Sequence, residues 1–284
     1  MKLGISSYSF KKYMERTKAN YIDICHLAKN FGYEGIEFID LKLEVQASDS
    51  LETLAKEIKE TCDEIGLEVI AYTVGADFLN KGPQEVERIK RQLDIASLLG
   101  VKILRHDAAW SLPEGMNWRQ AIEAIKGPIR EVSDYAAALG IKNCTENHGY
   151  ILQDAHRVEA LILAVNHPNY GWLIDVGNFL CVDQTVLHAL PIALPYAFHV
   201  HAKDFLYKPA WEKSPGEDWF QSRNGSHLRG TVAGHGVVPI SWCIQTLKKE
   251  GYQGWLSYEF EGMEECLPAI QAAYRYLRPL VETV

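Results

Sequence analysis

Long hydrophobic runs, a basic excess and paired cysteines are all missing from this 284-residue chain. No segment approaches the roughly 20 apolar residues of a membrane-spanning helix, and the residues after Met1 lack the pattern of a signal peptide, so we expect a cytoplasmic protein without membrane association. A formal net charge of −8 argues against a nucleic-acid partner, because binding to a phosphate backbone depends on Lys and Arg. The six cysteines are scattered, which favours reduced thiols over disulfides or a structural zinc cluster.

A glycine-rich phosphate loop is also missing after the first predicted strand. The segment from Gly4 to Ser9 lacks the dinucleotide-binding pattern of glycines. This absence counts against an open, doubly wound α/β sheet, the main alternative for a chain in which helices and strands alternate.

The chain repeats a unit of one helix, one glycine and one strand. Amphipathic stretches end near Gly32, Gly66, Gly100 and Gly140, and a β-rich segment follows each stop. Strands predicted near residues 3, 35, 68, 101, 141, 171, 197 and 254 give the number that closes a (β/α)8 barrel. We therefore predict one TIM-barrel domain over residues 1–284, with its active site at the C-terminal ends of the strands.

Four strand-like runs in the second half of the chain end on residues that can bind a metal. These runs are Ile141–Glu146, Trp172–Asp175, Ala197–His201 and Trp255–Glu259. The four side chains are far apart in sequence, so they converge only if successive strands lie side by side. Three oxygen ligands and one nitrogen suit a hard to borderline dication, for which we expect one Mn²⁺, with Mg²⁺, Co²⁺ or Zn²⁺ as alternatives.

Several motifs, taken in this order, resemble the xylose-isomerase-like barrels, a family of sugar isomerases, epimerases and dehydratases that includes endonuclease IV. The resemblance extends over nearly the whole chain and is carried by Glu146-Asn147-His148, Asp175-Val176-Gly177-Asn178, His201-Ala202-Lys203-Asp204, Gly234-His235-Gly236 and Ser257-Tyr258-Glu259. It implies that Glu146, Asp175, His201 and Glu259 bind the metal. It also selects His201 over His199 and Glu259 over Glu261, two choices that strand periodicity alone leaves open. His199 is then expected in the barrel core.

Other residues are candidates for contact with substrate. His148, Asn178 and Lys203 belong to the motifs, His106 follows the fourth strand, and Arg229 lies in the long segment from Asp204 to Pro239. We interpret that segment as an extended loop over the barrel mouth, in which Arg229, Arg223 or His227 could bind an anionic group. Each candidate has a structural alternative, such as helix capping for Asn178 or a solvated charge for Arg229. Glu37 is expected at the rim, and Trp110, Trp118 and Phe78 are expected to pack there or against a sugar.

The predicted chemistry is isomerisation or epimerisation of a sugar or sugar-phosphate hydroxy-ketone through an ene-diolate. A metal would stabilise the ene-diolate, while Glu146 and Glu259 would remove and return a proton. A dehydratase of the inosose or 3-dehydroshikimate type could use the same residues. An endonuclease at abasic sites is less favoured, because Asn178 replaces a histidine of that enzyme's metal cluster. A barrel that only binds carbohydrate is disfavoured because all four ligands are present, and the sequence leaves the oligomeric state open.

Overall fold

The structure, a computed structural model, describes residues 1–282. Its strands are β1 (Lys2–Ser6), β2 (Gly35–Ile39), β3 (Glu68–Val74), β4 (Ile103–His106), β5 (Lys142–Glu146), β6 (Tyr170–Asp175), β7 (Ala197–Ala202), β8 (Asp204–Lys208), β9 (Phe220–Gln221), β10 (His227–Thr231) and β11 (Trp255–Tyr258). Eight of them form a closed parallel barrel in the order β1-β11-β7-β6-β5-β4-β3-β2. Each barrel strand begins within two residues of its predicted position, so the predicted (β/α)8 barrel is confirmed.

Helices connect the strands on the outside of the barrel. They are α1 (Lys11–Thr17), α2 (Tyr21–Asn30), α3 (Leu51–Ile65), α4 (Phe78–Lys81), α5 (Pro83–Leu98), α6 (Trp118–Ala138), α7 (Ala155–Val165), α8 (Val186–Ala193), α9 (Ile240–Lys249) and α10 (Cys266–Glu282). Within residues 1–282, no helix has both the length and the apolar character needed to cross a membrane.

Local sequence explains where these elements begin and end. The side chain of Ser50 accepts a hydrogen bond from the backbone of Thr53 and so caps the start of α3. Gly66 ends the same helix in the left-handed conformation at φ +68°, which glycine adopts without the steric cost of a Cβ atom. Leu54, Ile58 and Cys62 form the buried face of α3, and their helical spacing packs the helix against the barrel.

The segment after β7, predicted to be an extended loop over the barrel mouth, contains regular structure. It contains a three-stranded antiparallel sheet in the order β8-β10-β9, which we call the insertion sheet. The insertion sheet lies at the C-terminal face of the barrel, because Tyr150 after β5 donates a hydrogen bond to the backbone of Gln221 and Gly230 bridges to Gly262 after β11. One side of the barrel mouth is therefore covered by regular structure.

A single buried carboxylate anchors the end of the insertion. Asp204 accepts hydrogen bonds from the backbone amides of Phe205, Gly234, Gly236 and Val238 at 2.9 to 3.0 Å. A Cβ atom at position 236 would lie only 2.2 Å from Asp204 Oδ1, so this turn requires glycine. The Lys203-Asp204 pair thus links the strand end to the Gly-His-Gly turn before α9.

Candidate metal centre

The four predicted ligands come together at the C-terminal ends of four neighbouring strands. Glu146 and Asp175 are the last residues of β5 and β6, His201 pairs with Asp175 across β6 and β7, and Glu259 follows β11. All four side chains are buried, and one ligand atom from each lies within 4.8 Å of the others. Barrel closure thus brings distant parts of the chain into one cluster, as the strand assignment implied.

Two buried atoms in this cluster have no hydrogen-bond partner. They are Asp175 Oδ2, which has only an ion-pair contact with Lys203 at 3.3 Å, and His201 Nδ1, which lies 3.8 Å from both Asp175 Oδ2 and Glu259 Oε2. The separations of 3.8 Å exceed hydrogen-bond length, and buried polar atoms without partners are uncommon in native proteins. A shared divalent ion would satisfy them, so the three carboxylates and one imidazole fit a metal site.

Hydrogen bonds orient the Asp175 carboxylate. Its Oδ1 atom accepts from the backbone amides of Gly177 and Asn178 at 2.8 and 2.9 Å, which leaves Oδ2 for a ligand. Asn147 fixes the strand end as well, since its amide exchanges hydrogen bonds with the backbone of Asp175. Burial opposes the charge of Asp175, but Lys203 and His201 outweigh it and lower the pKa of Asp175 to about 2. The carboxylate is therefore ionised and available for a cation.

Lys203 is buried beside the ligands. Its Nζ atom lies 2.5 Å from Glu259 Oε2 and 3.3 Å from Asp175 Oδ2. Burial disfavours the ammonium, yet Asp175 and Glu259 hold the pKa of Lys203 well above its ordinary value. Lys203 therefore forms ion pairs with two of the carboxylates that are candidate metal ligands.

Asn178 links Lys203 to the first glutamate. Its side chain donates to Glu146 Oε1 at 2.8 Å and accepts from Lys203 Nζ at 3.3 Å. It does not cap a helix, the alternative that the sequence allowed, because Gly177 occupies the cap position of the short 3₁₀ helix that starts at Asn178.

Arg105 is a functional candidate that the sequence analysis missed. Its Nη2 atom contacts Glu146 Oε2 at 2.8 Å and Asp107 Oδ1 at 2.6 Å, and His148 Nδ1 lies 3.0 Å from the same Asp107 oxygen. Burial nevertheless prevails over the attraction of Arg105 and raises the pKa of Glu146 above its ordinary value. The sequence signal for Arg105 was a charged residue inside the strand-like run Ile103–His106. Side chains alternate along a strand, so Arg105 and His106 point to opposite faces and only one of them can point into the barrel.

His106 does not face the barrel mouth, contrary to the suggested substrate contact. It is fully buried on the helix side of β4, with Nδ1 at 2.9 Å from the carbonyl oxygen of Asp107 and Nε2 at 3.2 Å from Asn143 Nδ2. Asn143 in turn donates to Ser133 of α6. Burial lowers the pKa of His106 to about 4, so the ring is neutral at physiological pH. Its role is structural.

Two arginines of the insertion have different surroundings. Arg229 lies in β10, with its guanidinium 5.6 Å from the Trp219 ring centre and Nη1 3.4 Å from Met263 Sδ. Arg223 forms an ion pair with Asp154 at 2.7 Å, which ties the insertion to the loop before α7. Its charge is therefore already paired within the protein, instead of being free for an anionic ligand.

Of the three aromatic residues and the loop histidine considered in the sequence analysis, only Trp110 lies at the barrel mouth beside a candidate substrate-binding residue. Trp110 is half exposed and makes an edge contact with His148 at the mouth. Phe78 is buried against His106, and Trp118 packs beneath arginines of α6 and α7. His227 is buried, with Nε2 near the backbone of Glu212.

Glu37 is not at the rim, where the sequence analysis expected it. Its side chain is fully buried in the barrel, where Oε2 lies 2.8 Å from His201 Nε2 and 3.1 Å from His199 Nε2. Burial opposes the charge, but His201 and His199 lower the pKa of Glu37 well below its ordinary value. His199 is a buried, hydrogen-bonded core residue, as predicted.

Negative charge exceeds positive charge in this part of the barrel. Each of the following groups is at most 6% exposed: the carboxylates Glu37, Asp107, Glu146, Asp175 and Glu259, and the cations Arg105 and Lys203. Five carboxylates against two cations leave three uncompensated negative charges, apart from the histidines. Buried charge is costly without compensation, and a dication would offset most of this excess.

The closed barrel with a carboxylate-rich cluster at its C-terminal face defines a class of TIM barrels, and comparison with known proteins agrees with it. Residues 25–280 match the family model described as xylose isomerase-like TIM barrel. The chain belongs to this family.

Curated relatives match the chain in part. It is 28% identical to an inosose dehydratase of Bacillus licheniformis over 51% of this chain and 47% of that protein, and 27% identical to an inosose dehydratase of Yersinia enterocolitica over 56% and 51%. The chain thus spans about half the length of the curated relatives it matches.

Solved structures share the fold over almost the full chain. They include an IOLI protein with a bound zinc atom (TM-score 0.78, 19% identity, covering 99% of this chain and 98% of that one) and a probable 3-DHS dehydratase of Bacillus anthracis (0.77, 18%, 98% and 99%). A D-allulose 3-epimerase of a Methylomonas species is also similar (0.74, 15%, 99% and 98%). At these identities, the likeness shows the common fold alone.

Proposed function

We propose that this protein is a divalent-metal-dependent isomerase or epimerase that acts on a sugar-like hydroxy-ketone through an ene-diolate. The observation that carries the proposal is the convergence of Glu146, Asp175, His201 and Glu259, two of which have a buried atom without a hydrogen bond. The two glutamates stand at opposite ends of this cluster, because β6 and β7 lie between β5 and β11 in the barrel. Such a pair can act on two sides of one bound substrate.

The four side chains would hold a single divalent ion, with Mn²⁺ as our first expectation. The bound zinc in the similar IOLI structure supports metal binding but leaves the choice of metal open. When bound, a divalent ion would polarise the substrate carbonyl and stabilise the negative charge of the ene-diolate.

The glutamates would move the proton. The Glu146 carboxylate removes a proton from the carbon beside the carbonyl, and the raised pKa of Glu146 makes it a better base near neutral pH. Glu259, protonated by solvent beforehand, gives its proton to the opposite face of that carbon, which yields the epimer and leaves Glu146 with the proton that it removed. Return of the proton to the former carbonyl carbon gives the isomer instead.

The neighbouring polar residues would bind and orient the substrate. Arg105 and Asn178 hold the two oxygens of Glu146, so its position is fixed before substrate arrives. Lys203 holds Glu259 and would donate a hydrogen bond to a substrate oxygen. His148 is partly exposed beside Asp107 and would contact a hydroxyl group at the mouth. Arg229, farther out in the insertion sheet, is our candidate for an anionic substituent.

A dehydratase is the second candidate, and the two inosose dehydratases among the relatives favour it specifically. In this reaction a carboxylate removes the same proton. The hydroxyl group on the β-carbon then takes a proton from the Lys203 ammonium and leaves as water. Asp175 and Glu259 keep Lys203 protonated, so an ammonium proton is present at the site for the leaving hydroxyl group. The acidic chain and Asn178 favour both reactions over abasic-site cleavage of DNA.

Product analysis in D₂O distinguishes the two reactions. We would incubate the Mn²⁺-loaded protein with ketoses, an inositol ketone and 3-dehydroshikimate, using protein treated with a chelator as control. Solvent deuterium at one carbon of a product with unchanged formula is the result expected for isomerase or epimerase chemistry. Loss of water with a new conjugated chromophore would instead establish the dehydratase. Turnover that survives complete metal removal would contradict both.

A further inference from the structure

A buried carboxylate from the far side of the barrel contacts the histidine of the metal centre. Glu37 lies on β2 and His201 on β7, and β1 and β11 separate these strands in the barrel. Glu37 Oε2 lies 2.8 Å from His201 Nε2, and both side chains are fully buried. The contact therefore crosses the barrel interior beneath the four candidate ligands.

The contact determines which nitrogen of His201 is free. An ionised carboxylate only accepts hydrogen bonds, so the hydrogen of a neutral His201 ring belongs on Nε2. The lone pair is then on Nδ1, the atom without a hydrogen-bond partner that lies 3.8 Å from both Asp175 Oδ2 and Glu259 Oε2. We infer that Glu37 is a positioning residue that fixes the tautomer and orientation of His201 for metal binding through Nδ1. This inference rests on the metal dependence of the proposed function.

The surroundings of Glu37 hold its carboxylate in place. Thr73 donates to Oε1 at 2.6 Å, while His199 Nε2 lies 3.1 Å from the same Oε2 atom that His201 contacts. The two histidine rings also meet edge to face, with centres 5.5 Å apart. Three donors on one carboxylate restrict its rotation, so the hydrogen bond to His201 is set before a metal arrives.

The same geometry assigns different tasks to the two histidines of β7. Being two residues apart on one strand, they point to the same side, with His201 nearer the mouth. His201 offers Nδ1 to the metal, whereas His199 uses Nε2 to hold Glu37 and leaves its own Nδ1 without a partner. His199 thus supports the metal ligand through the carboxylate.

A second ion held by Glu37, His199 and His201 is the competing interpretation, since their ligand atoms also lie within 4.8 Å of one another. It would require His201 to bind metals through both nitrogens at once and therefore to lose both ring protons. The hydrogen-bonded arrangement requires no such step. It predicts one ion per chain, whereas the alternative predicts two.

Metal titration tests the inference. We would measure Mn²⁺ binding to the metal-free full-length protein by calorimetry for wild type, Glu37→Gln and the matched control Glu68→Gln, whose side chain is 55% exposed. Loss of a partner that orients a ligating histidine weakens metal affinity by about 10- to 100-fold. We expect this loss in Glu37→Gln, an unchanged affinity in Glu68→Gln and a wild-type stoichiometry of one. Circular dichroism establishes that each variant is folded.

A spectroscopic measurement on the unaltered protein covers the case in which Glu37→Gln does not fold. Long-range ¹H–¹⁵N spectra of the histidine-labelled, Zn²⁺-loaded protein report which nitrogen of each ring carries hydrogen, with His201 assigned by its absence in His201→Ala. The expected result is hydrogen on Nε2 of His201. Hydrogen on Nδ1 would overturn the inference.

The outcomes separate this inference from the proposed function. Equal Mn²⁺ affinity in wild type and Glu37→Gln, or two ions per chain, would overturn the role of Glu37 alone. Failure of the wild type to bind Mn²⁺ would overturn both. Metal binding that depends on Glu37, without turnover of any hydroxy-ketone, would leave the role of Glu37 supported and contradict the proposed reaction.

Discussion

At the scale of single residues, the proposal assigns Glu146 a task that its amide analogue cannot perform. Glu146→Gln keeps the size of the side chain and one oxygen but cannot accept the substrate proton. A positioned base contributes typically 10²- to 10⁴-fold to a rate, so we expect kcat to fall by about that factor. Steady-state kinetics with the substrate identified by product analysis measures the loss, with Glu68→Gln as control. Turnover near that of wild type would exclude Glu146 as the base.

The two histidines of β7 are expected to respond differently to removal. His201→Ala deletes a candidate ligand and should lose most of the Mn²⁺ affinity. His199→Ala should retain metal binding, because Glu37 still contacts His201 and Thr73. It removes one hydrogen bond from the buried Glu37 and should lower the free energy of unfolding by roughly 1–3 kcal/mol. Calorimetry and urea denaturation measure the two effects. Retention of affinity in His201→Ala with loss in His199→Ala would show the opposite assignment.

His106 should make stability depend on pH. Because its pKa is about 4 when folded and about 6.5 when unfolded, the unfolded chain binds more protons between these values. The stabilisation from the neutral ring is therefore complete above pH 6.5 and is lost as the pH falls to about 4, on the order of 3 kcal/mol in total.

Urea denaturation of the wild type and His106→Asn between pH 4 and 7 measures this contribution. The free energy of unfolding of the variant should change less steeply with pH across the window. His156→Gln, at an exposed histidine, is the matched control. Parallel profiles for wild type and His106→Asn would contradict the assignment.

Residue types and spacing indicated Glu146 and Asp175, whereas the family resemblance selected His201 over His199 and Glu259 over Glu261. They did not reveal Arg105, whose partner Glu146 lies on the neighbouring strand, or the contacts of Glu37 with histidines from across the barrel. His106 was assigned to the mouth because it ends a strand, but its side chain points to the helices. Strand alternation could have corrected that error.

At the scale of elements, the insertion depends on Asp204. Asp204→Asn replaces one carboxylate oxygen with an NH₂ group that faces backbone N–H donors, so hydrogen bonds to the Gly-His-Gly turn are lost. We expect destabilisation of about 2–3 kcal/mol and faster hydrogen exchange across residues 227–239. Asp218→Asn, at an exposed position of the same insertion, is the control. Unchanged exchange in that range would contradict the anchoring role.

Element boundaries were predictable where helix caps and glycine stops occur, as at α3 and Gly66. The insertion sheet could not be predicted in this way. Its strand β9 has only two residues, and its three strands depend on pairing with one another, which the local sequence does not show. Its short strands lie among Gly, Pro and Ser residues that are typical of loops.

At the scale of the whole molecule, closure of the barrel brings the ends of strands that are distant in sequence together at one site. The sequence predicted this architecture because eight strand positions recur with helices between them, and the closed order of the strands confirms it. Closure also concentrates carboxylates beyond the number of buried cations. A dication that offsets this excess should stabilise the fold, by about 2.7 kcal/mol at a concentration 100 times its Kd.

Anomalous diffraction from crystals soaked in Mn²⁺ tests the central claim most directly. We predict one strong manganese peak per chain, bounded by Glu146, Asp175, Glu259 and Nδ1 of His201. A manganese peak elsewhere, or density in which these four side chains share no ion at saturating Mn²⁺, would contradict the account.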